Sequence, residues 1–78
     1  MTLVAITVMP KADVLDPQGQ TVASALSQLG FAGIGAVRVG KRIELDIAGD
    51  APEAEAEKMC DALLANALIE DYRVEVIG

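Results

Sequence analysis

Gly35-Ala36-Val37-Arg38-Val39-Gly40-Lys41-Arg42-Ile43-Glu44-Leu45-Asp46-Ile47, entered from Ile34, is the stretch on which the fold turns. From Val37 onward the odd positions hold Val37, Val39, Lys41, Ile43, Leu45 and Ile47. Most even positions are polar: Arg38, Arg42, Glu44 and Asp46. Period-two alternation marks a β element with one face buried and the other in water. Two geometries satisfy it. One is a single strand through Gly40 and Lys41. The other is a hairpin with a three-residue loop, Gly40-Lys41-Arg42, which sets Val39 opposite Ile43 and Val37 opposite Leu45. A two-residue loop at Gly40-Lys41 would set Val39 opposite Arg42 and mix the faces, so it is rejected. The sequence leaves the other two open. A single strand of about a dozen residues would run about 40 Å at ~3.3 Å per residue, too long for one small sheet, and would reach into a second subunit.

A helix and then a short strand are expected on each side. Thr2 to Met9 is a β-rich run with Val4, Ile6 and Val8 on one face and Leu3, Ala5 and Met9 on the other. A strand apolar on both faces belongs at the centre of a sheet or in a subunit interface, and Pro10 ends it. Asp16-Pro17 is a helix start, with Asp as N-cap and Pro at the first helical position. Val22, Ala25, Leu26 and Leu29 follow as one apolar stripe, and Gly30 fits the stop. Gly19 is a poor helix former, and a close contact would explain it. After Gly49, Asp50 and Glu53 have capping-box spacing. Ala56, Met59, Cys60, Leu63, Leu64 and Ala67 form the stripe of a second helix, and Asn66 is its expected left-handed stop. Tyr72 to Ile77 is the last strand, with Tyr72, Val74 and Val76 on one face and Arg73 and Glu75 on the other. The order β-α-β(β)-α-β predicts a small α+β two-layer sandwich, a mostly antiparallel sheet with two helices on one face, in one domain over residues 1–78.

Composition narrows the function. The 78 residues are 53% hydrophobic but include one Tyr, one Phe and no Trp, so the core must be aliphatic. A chain this short draws only about 3–5 kcal/mol from its own core. Its surplus of aliphatic side chains predicts burial between subunits. Val4, Ile6, Val39, Ile43 and Leu45 are the candidate core of that interface. Twelve acids against six bases give a net charge of −6, which argues against nucleic acid and against an anionic membrane surface. No run of 18 apolar residues is present. The opening MTLVAITVMPK lacks a basic region and a cleavage site, so no signal peptide is expected. With a single Cys, an internal disulfide is impossible, and a cytoplasmic location is the default expectation.

Catalytic groups are scarce. There is no His, hence neither the commonest general base nor the commonest metal ligand. Cys60 lies on an apolar stripe among acids, the setting of a buried structural thiol rather than a nucleophile. The glycines at 33, 35 and 40 match neither a phosphate loop nor a dinucleotide fingerprint and read as turns. An acylphosphatase-like enzyme would need a glycine-rich phosphate loop after the first strand, and none is there. Arg38, Lys41 and Arg42 gather half of the basic residues within five positions. They read equally as a solvated face balanced by Glu44 and Asp46 or as a docking patch for an acidic partner or an anion. Glu70, Asp71 and Tyr72 form an acidic turn in which neighbouring carboxylates diverge, so a capping or loop role is favoured over an acid/base pair.

Three pieces in order carry a resemblance: Val14-Leu15-Asp16-Pro17-Gln18-Gly19; Val37-Arg38-Val39-Gly40-Lys41 with Glu44-Leu45; and Leu63-Leu64-Ala65-Asn66 running through Ile69-Glu70-Asp71-Tyr72. Over nearly the whole chain the sequence resembles the PurS family, the small subunit of phosphoribosylformylglycinamidine (FGAM) synthase. Departures at Ala12-Asp13 and in the glycine-rich Gly33–Ala36 loop touch only local turn shape. The resemblance implies an enzyme complex that converts formylglycinamide ribonucleotide (FGAR) to its amidine with ATP, Mg and glutamine. It implies that this chain binds no cofactor and has no active site. As a homodimer associated through its strands, with a tetramer left open, it would bridge the large synthetase subunit and the glutamine amidotransferase subunit and support ammonia transfer. Arg38, Lys41, Arg42, Glu70, Asp71 and Tyr72 are the candidate docking residues, chosen for charge and expected exposure. Two rivals stand beside this reading: a small dimeric ligand-sensing module, and an enzyme using an acid such as Asp16 or Asp71.

Overall fold

In the computed structural model, which describes residues 1–78, β1 (Thr2–Pro10) is the middle strand of a three-stranded sheet of order β2-β1-β3. Both neighbours, β2 (Lys41–Ile47) and β3 (Glu70–Val76), run antiparallel to it. Two helices interrupt the strands, α1 (Pro17–Gln28) and α2 (Pro52–Met59). This is the expected α+β fold, with an open sheet. β1 takes the centre because both its faces are apolar. Val4, Ile6 and Val8 are fully buried, and Ala5 on the opposite face is 1% exposed. The register sets Val4 between Leu45 and Val76, Ile6 between Ile43 and Val74, and Val8 between Lys41 and Tyr72. Ala56 and Cys60 of the second helical segment cover that inner face and complete the core with Ile47.

The decisive stretch forms no hairpin. β2 begins at Lys41, and residues 34–40 pair with no strand, although Gly40 rests against Val8 and Met9 of β1. No loop backbone hydrogen bond falls within residues 34–40. The three-residue hairpin needs a left-handed loop residue, and positive φ occurs only at Gly30, Gly33 and Gly49. The alternation itself holds: Val37, Val39, Ile43 and Leu45 are half-buried, Ile47 is buried, and the residues between them are exposed.

The helices depart from expectation in four places. α1 starts on Asp16 and stops before Gly30, whose φ is +95°. Yet its stripe does not lie on the sheet, for Val22 is 40% and Leu29 75% exposed. Only α2 packs against the strands. The Asp50–Glu53 capping box is also absent. Pro52 opens α2, drives the residue before it out of the helical region, and makes Ala51 (φ −130°, ψ 64°) the N-cap with no side-chain bond. Finally, after Met59 the chain continues as a five-residue π-helical turn, Cys60–Leu64. The wider turn shifts the stripe. Cys60 stays buried and Leu64 half-buried, while Leu63 is 83% exposed. Asn66 does not adopt the left-handed conformation. Its side-chain oxygen accepts from the Leu68 N–H (3.1 Å), and its carbonyl accepts from the N–H groups of Ile69 (3.1 Å) and Glu70 (2.7 Å).

The resulting molecule is long and thin, 49 × 26 × 15 Å, with a radius of gyration of 15.7 Å. A compact chain of this length would have about 11–12 Å. Its accessible surface is 5426 Å², against roughly 4,500 Å² expected for a folded monomer of this mass. Only eight residues are buried, so the protomer hides little of its aliphatic content by itself.

Candidate interaction surfaces

The end of the sheet where β1 exits is the most constructed part of the surface. Asp16 holds it together. One carboxylate oxygen accepts the Gly19 N–H (3.0 Å), the ordinary N-cap bond, and the other accepts the Val39 N–H (2.8 Å). These two backbone donors, Gly19 first, hold the Asp16 carboxyl below its usual pKa, because both favour the charged form. Gly19 is buried in the first turn of α1, and its α-carbon faces the Val37 carbonyl so closely that a side chain there would collide with it. The guanidinium of Arg38 donates to the Pro10 carbonyl. Residues 37–39 are thereby fastened to the start of α1 and to the end of β1, while their remaining backbone groups stay unpaired. Between these pieces lies an open hollow of about 410 Å³, bordered by Lys11, Leu15, Asp16, Gln20, Val37 and Arg38.

The six candidate docking residues gather around this same end. Lys41 and Tyr72 flank Val8, and Arg42 lies beside Thr7. Asp71 lies beside Met9 and Glu70 beside Pro10. They do not form one basic patch and one acidic turn. Lys41 shares the inner face with Ile43, whereas Arg42 points to the outer face and pairs with Glu44 (2.8 Å). Asp71 pairs with Lys11 (3.0 Å), and the Glu70 carboxylate accepts the Asn66 N–H (2.7 Å), the loop role expected for that turn. The Tyr72 hydroxyl donates to Asp61 (3.4 Å). Burial, and then the Asp61 carboxylate, push the Tyr72 phenol up. Lys11 and Asp61 were not singled out in the sequence. Nothing in the spacing signals them, since they reach Asp71 and Tyr72 only through the fold.

Among the candidate interface core, the structure corrects Val4 and Ile6. Both are fully buried under the protomer's own second helix and have no surface to offer a second chain. Their place on the more apolar face of a central strand gives the same pattern as an interface would. Val39, Ile43 and Leu45 are half-buried. Cys60 is the buried thiol expected, raised in pKa by burial first and then by the Asp61 and Glu57 charges. No group of three His, Cys, Asp or Glu side chains is arranged to hold a metal ion. No helix is long and apolar enough to cross a membrane.

Comparison with known proteins follows the same division of the chain. Phosphoribosylformylglycinamidine synthase subunit PurS of Mycobacterium leprae is 45% identical over 74 residues, covering 95% of this chain and 94% of the relative. The Bacillus subtilis subunit of the same name is 42% identical over 78 residues, covering 97% and 93%. Among solved structures, B. subtilis PurS superposes over the full length of both chains with a TM-score of 0.91 at 41% identity. A chain of PurLQS from Thermotoga maritima superposes with a TM-score of 0.79 at 30% identity, covering 97% of this chain and 96% of that one. The family model described as PurS, phosphoribosylformylglycinamidine (FGAM) synthase, matches residues 3–78, and the chain belongs to the PurS family.

Proposed function

We propose that this chain is the small, non-catalytic subunit of FGAM synthase in purine biosynthesis, and that it works by position. As a homodimer it bridges the glutaminase subunit and the ATP-dependent synthetase subunit, so that ammonia released from glutamine reaches FGAR without loss to water. Family membership over residues 3–78 carries the reading. Two physical features support it. The protomer exposes roughly 900 Å² more surface than a monomer of its mass should. Its unpaired segment 34–40 presents free backbone groups beside half-buried Val37 and Val39, the kind of edge that a second chain completes. ATP, Mg and glutamine belong to the other subunits in this scheme, and the complex works in the cytoplasm.

Arg38, Lys41, Arg42, Glu70, Asp71 and Tyr72 ring one end of the sheet, and this is the docking end in the proposal. Bridging matters chemically because ammonia is small and neutral, protonates in water and diffuses away. Alignment of two active sites with solvent excluded converts release and capture into a proximity effect. The test is reconstitution. The large synthetase and the glutaminase are assayed for glutamine-dependent amidation with and without this chain, with ammonium salt as the control nitrogen source. Turnover on glutamine only when the chain is present, with turnover on ammonia nearly unchanged, is the expected result. Equal glutamine-driven rates without the chain, together with failure to co-elute with either subunit, would overturn the bridging role.

A further inference from the structure

The connection from the second helix to β3 carries an exposed apolar pair that neither the core nor the strand edge uses. Leu63 is 83% and Leu68 85% exposed, and among the large apolar side chains only Met1 is more so. The exposure of Leu63 has a backbone cause. Its spacing assigns it to the buried stripe with Ala56 and Cys60, and the π-helical turn Cys60–Leu64 takes it out of that stripe into water. Such turns are rare and gather at functional sites, and exposed apolar side chains grouped within a polar rim mark interaction surfaces. The two leucines are five residues apart, so their α-carbons lie within about 18 Å of each other. One partner with a standard footprint of ~800 Å², about 28 Å across, covers both.

The same connection borders a hollow of about 260 Å³, lined by Ala65, Ala67 and Tyr72 and by the carboxylates of Asp61, Glu70 and Asp71. Each carboxylate spends one oxygen inside the chain, Asp61 on the Tyr72 hydroxyl, Glu70 on the Asn66 N–H and Asp71 on the Lys11 ammonium, and the other oxygen has no bond there. No three of these side chains are arranged to hold a metal ion, so the hollow suits a long cationic side chain rather than a bare cation. The charge is regional. Residues 52–72 hold six acids and one base, a net −5 of the chain's −6. Arg38, Lys41 and Arg42 lie in or just before β2, across β1 from β3.

We infer that Leu63, Leu68 and the acidic hollow form one docking surface, and that its occupant is a different protein chain with an apolar socket edged by lysine or arginine. Charge opposes the other occupants. A second copy placed patch to patch sets −5 against −5, and nucleic acid or an anionic membrane is repelled in the same way. A second copy offering its Arg38–Arg42 segment instead would join copies head to tail into rings or filaments, which the test reads as mass. The inference rests on the proposed bridging role and deepens it: one of the two larger subunits docks here, on leucine and acid, and the other docks elsewhere. The leucines supply the apolar centre of the contact, and the carboxylates supply the polar rim that steers and orients approach.

The test titrates the full chain against the immobilised synthetase subunit and, separately, the immobilised glutaminase subunit, with ATP, Mg and glutamine in the buffer and NaCl from about 50 mM to about 1 M. Two double variants divide the surface: Leu63→Ser with Leu68→Ser, and Asp61→Asn with Asp71→Asn. Circular dichroism checks that each is folded, and the exposure of both leucines means that the first should be. The leucine variant should bind one subunit at least about tenfold more weakly and the other within about twofold of wild type. The asparagine variant should associate more slowly with that same subunit and lose most of the salt dependence. A leucine variant that binds both subunits as wild type does would overturn the inference and leave the bridging role intact. Equal loss toward both subunits, or a wild-type mass by light scattering that falls in the leucine variant, would overturn it too, the latter by assigning the patch to self-contact. If the wild-type chain binds neither subunit, the bridging role fails and this inference falls with it.

Discussion

Gly19→Ala sets two physical effects against each other. On helix propensity alone the change should stabilise α1 by up to about 1 kcal/mol, because glycine in a helix exposes backbone and loses more entropy on folding. The local packing argues the opposite. A β-carbon at Gly19 would lie 2.9 Å from the Val37 carbonyl carbon, 2.9 Å from the Asp16 carboxylate oxygen that holds Val39, and nearer still to the Val37 oxygen. Carbon contacts settle near 3.5–4.0 Å, so the backbone at residue 37 must retreat by about 1 Å, and the Asp16–Val39 bond stretches with it. Overpacking of this kind costs typically about 1–3 kcal/mol. Because backbone and a bonded carboxylate are displaced together, the upper half of that range applies, and a net loss of about 2 kcal/mol remains after the propensity gain. For a domain of this size that lowers Tm by roughly 8–16 °C. The assay is thermal and urea unfolding at fixed chain concentration, since the proposed self-association would make Tm concentration-dependent. Hydrogen exchange at the Val39 amide serves as a local reporter and should quicken. Gly35→Ala is the control, because nothing lies within 4 Å of its added carbon, and its Tm should stay within a few degrees. A Gly19→Ala protein as stable as wild type, with Val39 exchange unchanged, would refute the close packing of α1 on residues 37–39.

Other perturbations test the remaining links. Asp16→Asn should flatten the acid limb of the stability curve. The wild-type carboxyl titrates below its usual value when folded, so its contribution is present above the unfolded pKa and is lost as pH falls through the folded one, below about pH 4. Leu45→Asp should prevent folding, because Leu45 packs against the core and an unpaired carboxylate there exceeds the ~3–5 kcal/mol such a core provides; Val39→Asp should remain folded by circular dichroism but halve the mass. Cys60 should resist thiol reagents in the native protein and react fully in denaturant. Its raised pKa, like that of Tyr72, means that these groups stabilise the fold below their unfolded values and that the benefit is lost as pH climbs through about 9 and above, which a pH series of urea midpoints will show.

Periodicity and turn chemistry carried most of the fold. The alternation through Ile43, Leu45 and Ile47, the doubly apolar run from Leu3 to Met9, and the Asp16-Pro17 start all have local causes, and all appear where the residues place them. The failures have non-local or competing causes. The stripe of Val22, Ala25, Leu26 and Leu29 is a sound amphipathic signal, but it does not specify which surface it will meet, and within this chain it is not packed on the sheet, leaving Val22 and Leu29 exposed. Pro52 overrode the Asp50 cap because a residue preceding proline leaves the helical region. The π-helical turn at Cys60–Leu64 broke the 3.6-residue count on which Leu63 had been placed inside. Family resemblance supplied the function. No catalytic constellation is legible in the composition and spacing, so they led to an interaction protein and no further. For the docking residues, charge and position were legible, as was Glu44 as a balancing charge, but the partners Lys11, Asp61 and Asn66 emerged only with the fold.

The double role of Asp16 explains how so thin a molecule can hold an exposed segment in place. Fixing a backbone residue costs about 1–2 kcal/mol, so a loose segment of seven residues ordered only on meeting a partner would spend most of what a modest interface returns. Residues 34–40 are not loose at the end nearest the sheet. Arg38 is tied to Pro10, Val39 to Asp16, and Gly40 rests against Val8 and Met9. Because the second oxygen of Asp16 also caps α1, helix and segment form one block fastened to the end of β1. The free backbone edge and the exposed stripe of α1 therefore face outward already in place, and association need order only Ile34 to Ala36. Under the proposed bridging role, fixed placement is what the fold has to supply. A residue that joins three elements, with no chemistry of its own, is accordingly where this chain concentrates its polar contacts.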